Sequence, residues 1–242
     1  MLRAALWGGL AGSAVFLGAV VGLFFNIEKK VIGFIMAFGT GILIGAASFE
    51  LLIEAVEGGG IKLSTIAFIV GALLFTIFNL LIAKQGGHQR KRSKGNPVGH
   101  SGLAIFIGTI MDAIPESLII GASLVDSTNV SYLLVIAVFL SNFPEGLSSS
   151  IGLKKDGYSK MKILALWIFV SLLALLSSLV GFILLKDSST AIIAIISAFA
   201  AGGIVAMVSS TMMPEAYEEG GAWVGLIAAL GLISSVLLIN LA

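Results

Sequence analysis

The sequence predicts an all-α, polytopic membrane protein with eight transmembrane helices. Three observations carry that prediction. Of the 242 residues, 58% are hydrophobic and 11% charged, giving a mean hydropathy of +1.10, whereas soluble domains carry about 25% charged residues. Eight apolar stretches each reach the roughly 20 residues that a helix needs to span hydrocarbon. Basic residues gather in alternate loops, which gives the chain an orientation.

The stretches fall at about 4–26, 31–56, 62–83, 102–125, 130–153, 161–185, 190–216 and 221–241. In the first, Arg3 precedes about 22 uncharged residues, longer than the roughly 7–15 residue core of a cleavable signal, so it reads as a retained span. The second ends in "IEAVEGGG", Ile53 to Gly60, and the seventh in the related "PEAYEEGG", Pro214 to Gly221. Between spans 3 and 4 lies a basic linker at 84–101, "KQGGHQRKRSKGNPVGHS", which holds both histidines, His88 and His100. Spans 4 and 5 carry "DAIPESL" and "SNFPEGL", with Glu116 and Glu145 in register. Counting inward from the two ends, span 2 mirrors span 7 and span 4 mirrors span 5, the pattern of an inverted repeat. Thirty glycines suit close helix approach in a bilayer.

With the N-terminus outside, the loops after spans 1, 3 and 5 face the cytoplasm. They hold Lys29, Lys30, Lys84, Arg90, Lys91, Arg92, Lys94, Lys154, Lys155, Lys160 and Lys162, which is 11 of the 14 basic residues. Both termini are then extracytoplasmic. Because the basic residues sit in short loops rather than along one face, no nucleic-acid partner is expected. There is no cysteine, hence no disulfide and no thiolate ligand. With no Ser–His–Asp set and no HExxH, an enzyme is not expected.

A carboxylate near the centre of a spanning helix costs about 2.5–3.5 kcal/mol, so Asp112, Glu116 and Glu145 point to function rather than packing. Asp112 and Glu116 lie four residues apart, as do Ser141 and Glu145, with Asn142 three before Glu145, so each set shares a helix face. Pro115 and Pro144 lack an N–H, which releases the carbonyls of Met111 and Leu140 from their usual helix partners. A proline beside a carboxylate makes room and supplies oxygen for a cation. Pro214 marks a third helix irregularity, and Glu50, Glu54 and Glu215 are candidates for an ion path.

At these residues the chain resembles the ZIP (Zrt/Irt-like) family of divalent metal transporters. That family typically carries H-N-x-P-E-G in span 4 and a related H-x-x-P-E in span 5. The resemblance implies a 3 + 2 + 3 helical bundle with metal held between spans 4 and 5 by Asp112, Glu116, Ser141, Asn142 and Glu145. Asp112 and Ser141 stand where the family usually has histidines, and Ala113 where it often has asparagine. The resulting ligand set is all oxygen. Imidazole suits zinc, whereas carboxylate and carbonyl suit manganese or magnesium.

The expected function is transport of a divalent cation (zinc, manganese or iron) towards the cytoplasm, with the metal as substrate and no prosthetic group. Two alternatives stand beside it: a transport-inactive relative acting as metal sensor or assembly partner, and a transporter of protons or sodium. The expected partners are the metal ion and the lipid bilayer, with a homodimer as a candidate assembly and the plasma membrane as the location. The orientation is directly testable, because a cysteine at Ser93 would be the chain's only thiol. It should resist an impermeant maleimide added outside intact cells; ready labelling would reverse the topology.

Overall fold

The computed structural model describes residues 1–82, 101–125 and 131–241; His88, His100 and the linker from 84 to 100 lie outside them. The elements in order are α1 (Leu2–Phe24), α2 (Lys29–Gly45), α3 (Ile53–Gly59), α4 (Ile61–Ile82), α5 (Ser101–Ala122), α6 (Tyr132–Lys155), α7 (Lys160–Leu185), α8 (Thr190–Met207), α9 (Met213–Gly220) and α10 (Val224–Leu241). No strand occurs among the described residues. Among the described residues, six helical runs are long and apolar enough to cross a membrane. The last of them, Thr190–Asn240, is 51 residues long, more than twice what one crossing needs. The chain is an all-helical, multi-pass membrane protein.

α2 and α3 form one continuous rod joined by a π-helical segment, Ala46–Leu52, and α8 and α9 are joined likewise by Val208–Met212. Both rods end at a glycine in the left-handed region, Gly60 at φ 79° and Gly221 at φ 70°, where a side chain would strain the turn. Ser131 and Ser159 cap α6 and α7, accepting hydrogen bonds from the Leu134 and Lys162 amides. The helical assignment runs on through Pro115 and Pro144, while Pro214 stands in the first turn of α9, just after the π-helical segment.

Glycines decide which helices meet. In a bilayer the lipid is as apolar as leucine, so helices associate by close backbone packing at small residues. Gly18 of α1 lies against the Phe143 carbonyl of α6, and Gly146 of α6 against the Val15 carbonyl of α1. The α5–α7 crossing is reciprocal in the same way, through Gly121 on the Ser178 carbonyl and Gly181 on the Leu118 carbonyl. So is the α2–α10 crossing, through Gly41 and Gly231, and the α4–α8 crossing, through Gly71 and Gly202.

These crossings sort the helices into two groups. One contains α1, α5, α6 and α7, which pack on one another; the other contains α2, α3, α4, α8, α9 and α10. The groups meet along a seam where α2 packs on α6 and α5 on α8. The buried Trp167 ties α7 to α6 inside the first group, its indole N–H donating to Ser150 Oγ at 2.7 Å.

The same pattern reveals the internal repeat. Gly41 and Gly202, Glu54 and Glu215, and Gly60 and Gly221 are separated by one identical interval along the chain. Gly33 of α2 meets the backbone of Gly220 in α9, and the equivalent pair, Gly59 and Ala194, also meets. The packing is preserved when α1, the α2–α3 rod and α4 are exchanged with α7, the α8–α9 rod and α10, and α5 with α6. That exchange includes the two pairings read from the sequence, span 2 with span 7 and span 4 with span 5.

The glycine crossings are testable by adding one methyl group. Gly71→Ala and Gly41→Ala place a Cβ against the Phe199 and Ala228 carbonyls, whereas a Cβ at Gly225 meets nothing within 4 Å. Each crossing variant should lose about 1–3 kcal/mol and melt earlier in detergent, with Gly225→Ala unchanged or slightly more stable. Equal midpoints for all three would contradict the crossings.

Candidate functional site

Four carboxylates are buried among the described residues: Asp112, Glu116, Glu145 and Glu215, each 3% exposed. No lysine or arginine is buried among those residues. Asp112 and Glu116 come from α5, Glu145 from the middle of α6, and Glu215 from the first turn of α9. Asn142 and Ser141 are buried one turn before Glu145. All of these helices border the seam.

Each carboxylate has a distinct setting. Thr109 of α5 donates its hydroxyl to Glu145 Oε1 at 2.9 Å, joining the two Pro-Glu helices. Ser148 of α6 donates to Glu215 Oε1 at 2.7 Å, a hydrogen bond that crosses the seam. Ser149 donates to the Glu145 main-chain carbonyl at 2.5 Å. Ser141 turns its hydroxyl back to the Val138 carbonyl at 3.0 Å. Asp112 and Glu116 line a cavity of about 210 Å³ between α4, α5 and α8, whose other walls include Phe75, Phe78, Met111, Phe199 and Met207.

The prolines leave a trace in the packing. Pro144 releases the Leu140 carbonyl from its helix partner, and a Cβ built on Gly39 of α2 would lie 2.7 Å from that oxygen. The freed carbonyl therefore sits where α2 approaches α6 across the seam. Met111, whose carbonyl Pro115 releases, lines the cavity.

Of the five expected metal ligands, Asp112 and Glu116 stand on α5, and Ser141, Asn142 and Glu145 on α6. Among the described residues, no group of three or more His, Cys, Asp or Glu side chains is placed to hold one ion. Asp112 and Glu116 face the cavity, while Glu145 is engaged with Thr109. Glu50 falls inside the first π-helical segment, within hydrogen-bonding reach of Ser131 at the start of α6. Glu54 is exposed, whereas its repeat mate Glu215 is buried. Sequence reasoning missed Thr109 and Ser148. Their signal was faint but present, since each stands three residues from a carboxylate on its own helix, Asp112 and Glu145 respectively.

A family model described as ZIP Zinc transporter matches residues 82–239, well over half of the chain. The chain belongs to the ZIP family. This is a family of transporters, not of enzymes. A curated protein of Arabidopsis thaliana, named "Putative zinc transporter", is 28% identical over 209 residues, covering 86% of this chain and 33% of the relative. The chain thus spans about a third of the length of that curated relative.

The two hydroxyls should matter to these carboxylates. A hydrogen bond to a charged group contributes about 1.5–3 kcal/mol, so Thr109→Val and Ser148→Ala should each destabilise the fold by that order in detergent melts. Thr109→Ser, which keeps the donor, should recover most of the loss. Equal stability of the Val and Ser variants would mean that the Thr109 hydroxyl does not hold Glu145.

Proposed function

We propose that this ZIP-family protein carries divalent metal cations across the membrane towards the cytoplasm, along the seam between its two helix groups. One observation carries the reading: four carboxylates, on three helices that border the seam, are each only 3% exposed among the described residues. A buried carboxylate attracts a passing cation more strongly than one in water does, because the surrounding dielectric is lower. Ionisable groups inside a membrane mark ion pathways for this reason.

In this reading Asp112, Glu116, Ser141, Asn142 and Glu145 supply oxygen ligands from the paired Pro-Glu helices. Glu50 and Glu54 attend the path at one end and Glu215 at the other. An all-oxygen set accommodates manganese and iron as well as zinc. The named Arabidopsis relative supports a zinc-class substrate. Alternating access would move the α1, α5, α6, α7 group against the rest, since each group is internally locked by glycine crossings and the Ser148–Glu215 hydrogen bond crosses the seam between them. Glu145 would exchange Thr109, its hydrogen-bond partner within the same group, for metal. Both termini are extracytoplasmic in this scheme, following the distribution of basic residues.

Proteoliposome uptake with Mn²⁺, Fe²⁺, Zn²⁺, Cd²⁺ and Mg²⁺ tests the reading. At least one of the transition metals should be taken up. Glu116→Gln and Glu145→Gln should each reduce uptake tenfold or more, about 1.4 kcal/mol, because Gln keeps the shape and removes the charge. Wild-type uptake in both variants would overturn the site assignment. Metal binding without uptake in folded protein would assign the sensor role instead.

A further inference from the structure

The cavity holding Asp112 and Glu116 has a character that a metal site does not require. Its walls are almost wholly apolar, with three phenylalanines, Phe75, Phe78 and Phe199, lining it together with the two carboxylates. At about 210 Å³ it exceeds the roughly 150 Å³ void that accommodates benzene in another protein's core. An apolar pocket with a few convergent polar groups is the usual form of a small-molecule site. Its walls reach the lipid-facing surface, since Leu74, Phe78 and Phe199 are 39%, 50% and 37% exposed and Pro115 is exposed too. A ligand dissolved in the bilayer therefore has a lateral way in.

We propose that this cavity binds a hydrophobic organic cation, an aromatic or short alkyl body bearing one ammonium group. The ammonium would lie against Asp112 and Glu116, with the body among the phenylalanines, whose ring faces also attract cations. A divalent metal ion uses the same carboxylates but gains nothing from the apolar walls. An organic cation uses both. Because α5 stands on one side of the seam and α4 and α8 on the other, an occupant would bridge the two helix groups. The proposal shares Asp112 and Glu116 with the transport reading, so its test reads binding rather than uptake.

The experiment measures equilibrium binding of radiolabelled phenethylammonium to the purified full chain in lipid nanodiscs, with 2-phenylethanol as the neutral competitor of similar shape. The amine should bind at least tenfold more tightly than the alcohol. Asp112→Asn combined with Glu116→Gln should abolish that preference. Gly203 supplies an independent arm, because a Cβ there meets nothing nearer than the Gly71 carbonyl at 3.9 Å and Gly203 lines the cavity. Gly203→Leu should fill the space and weaken amine binding at least tenfold, while metal binding persists. Should that variant fail to fold, an ammonium probe carrying a phenyl diazirine, applied to the unmodified chain, should label α4 or α8 beside the cavity. Equal affinity for amine and alcohol, full affinity in folded Gly203→Leu, or labelling confined to other helices would each overturn the proposal. Loss of metal uptake with amine binding intact would sink the transport reading and leave this one standing.

Discussion

Backbone-to-backbone contact at glycine is the constraint on which the rest of this molecule depends. Side chains surrounded by lipid gain little by turning inward, so the helices are held where their main chains can touch. Four reciprocal crossings, at Gly18 with Gly146, Gly121 with Gly181, Gly41 with Gly231, and Gly71 with Gly202, define two tightly interlocked sets of helices. Contact between the sets is of another kind. It rests on fewer close approaches, of which Gly39 on the Leu140 carbonyl is one, and on hydrogen bonds such as Ser148 to Glu215. Rigid bodies with a polar joint follow from where the glycines stand.

The polar joint is where the expensive residues collect. Asp112, Glu116, Glu145 and Glu215 are buried where a low-dielectric surround raises the cost of holding a charge. Hydroxyls from neighbouring helices offset part of that cost. Proline contributes by freeing main-chain carbonyls at the same depth. The two π-helical segments add further irregular backbone, in the rods that flank the joint, as is common near functional sites.

Much of this was legible in the sequence. The apolar stretches are long and uncharged enough to stand out, and the Pro-Glu pairs announce themselves by their cost. The related endings at Ile53 and Pro214 betray a duplicated rod. Other features left no local mark. A π-helical turn arises from packing, and "AASFELL" reads as ordinary helix. Thr109 and Ser148 belong to a residue type common in spanning helices, and only tertiary structure picks out the two that reach a carboxylate. The depth of Glu215 is hidden in the sequence because the apolar run stops at Ala216. The helix continues to Gly220, where its backbone meets Gly33, and that continuation carries Glu215 inside. The pairing of spans 1, 2 and 3 with 6, 7 and 8 was hidden because the first and third spans retain little similarity to their partners.

The repeat also has a cost that its two halves do not share equally. Glu54 and Glu215 occupy equivalent places, yet Ser148, which bonds Glu215, has Ile119 as its counterpart in the other Pro-Glu helix. Isoleucine has no hydroxyl to donate. If the halves traded conformations, Glu54 would go inward to meet a hydrocarbon side chain. The difference is one charge-assisted hydrogen bond, about 1.5–3 kcal/mol. Duplication supplied two matching faces, and a single serine-to-isoleucine difference ensures that they rest at unequal depths in energy.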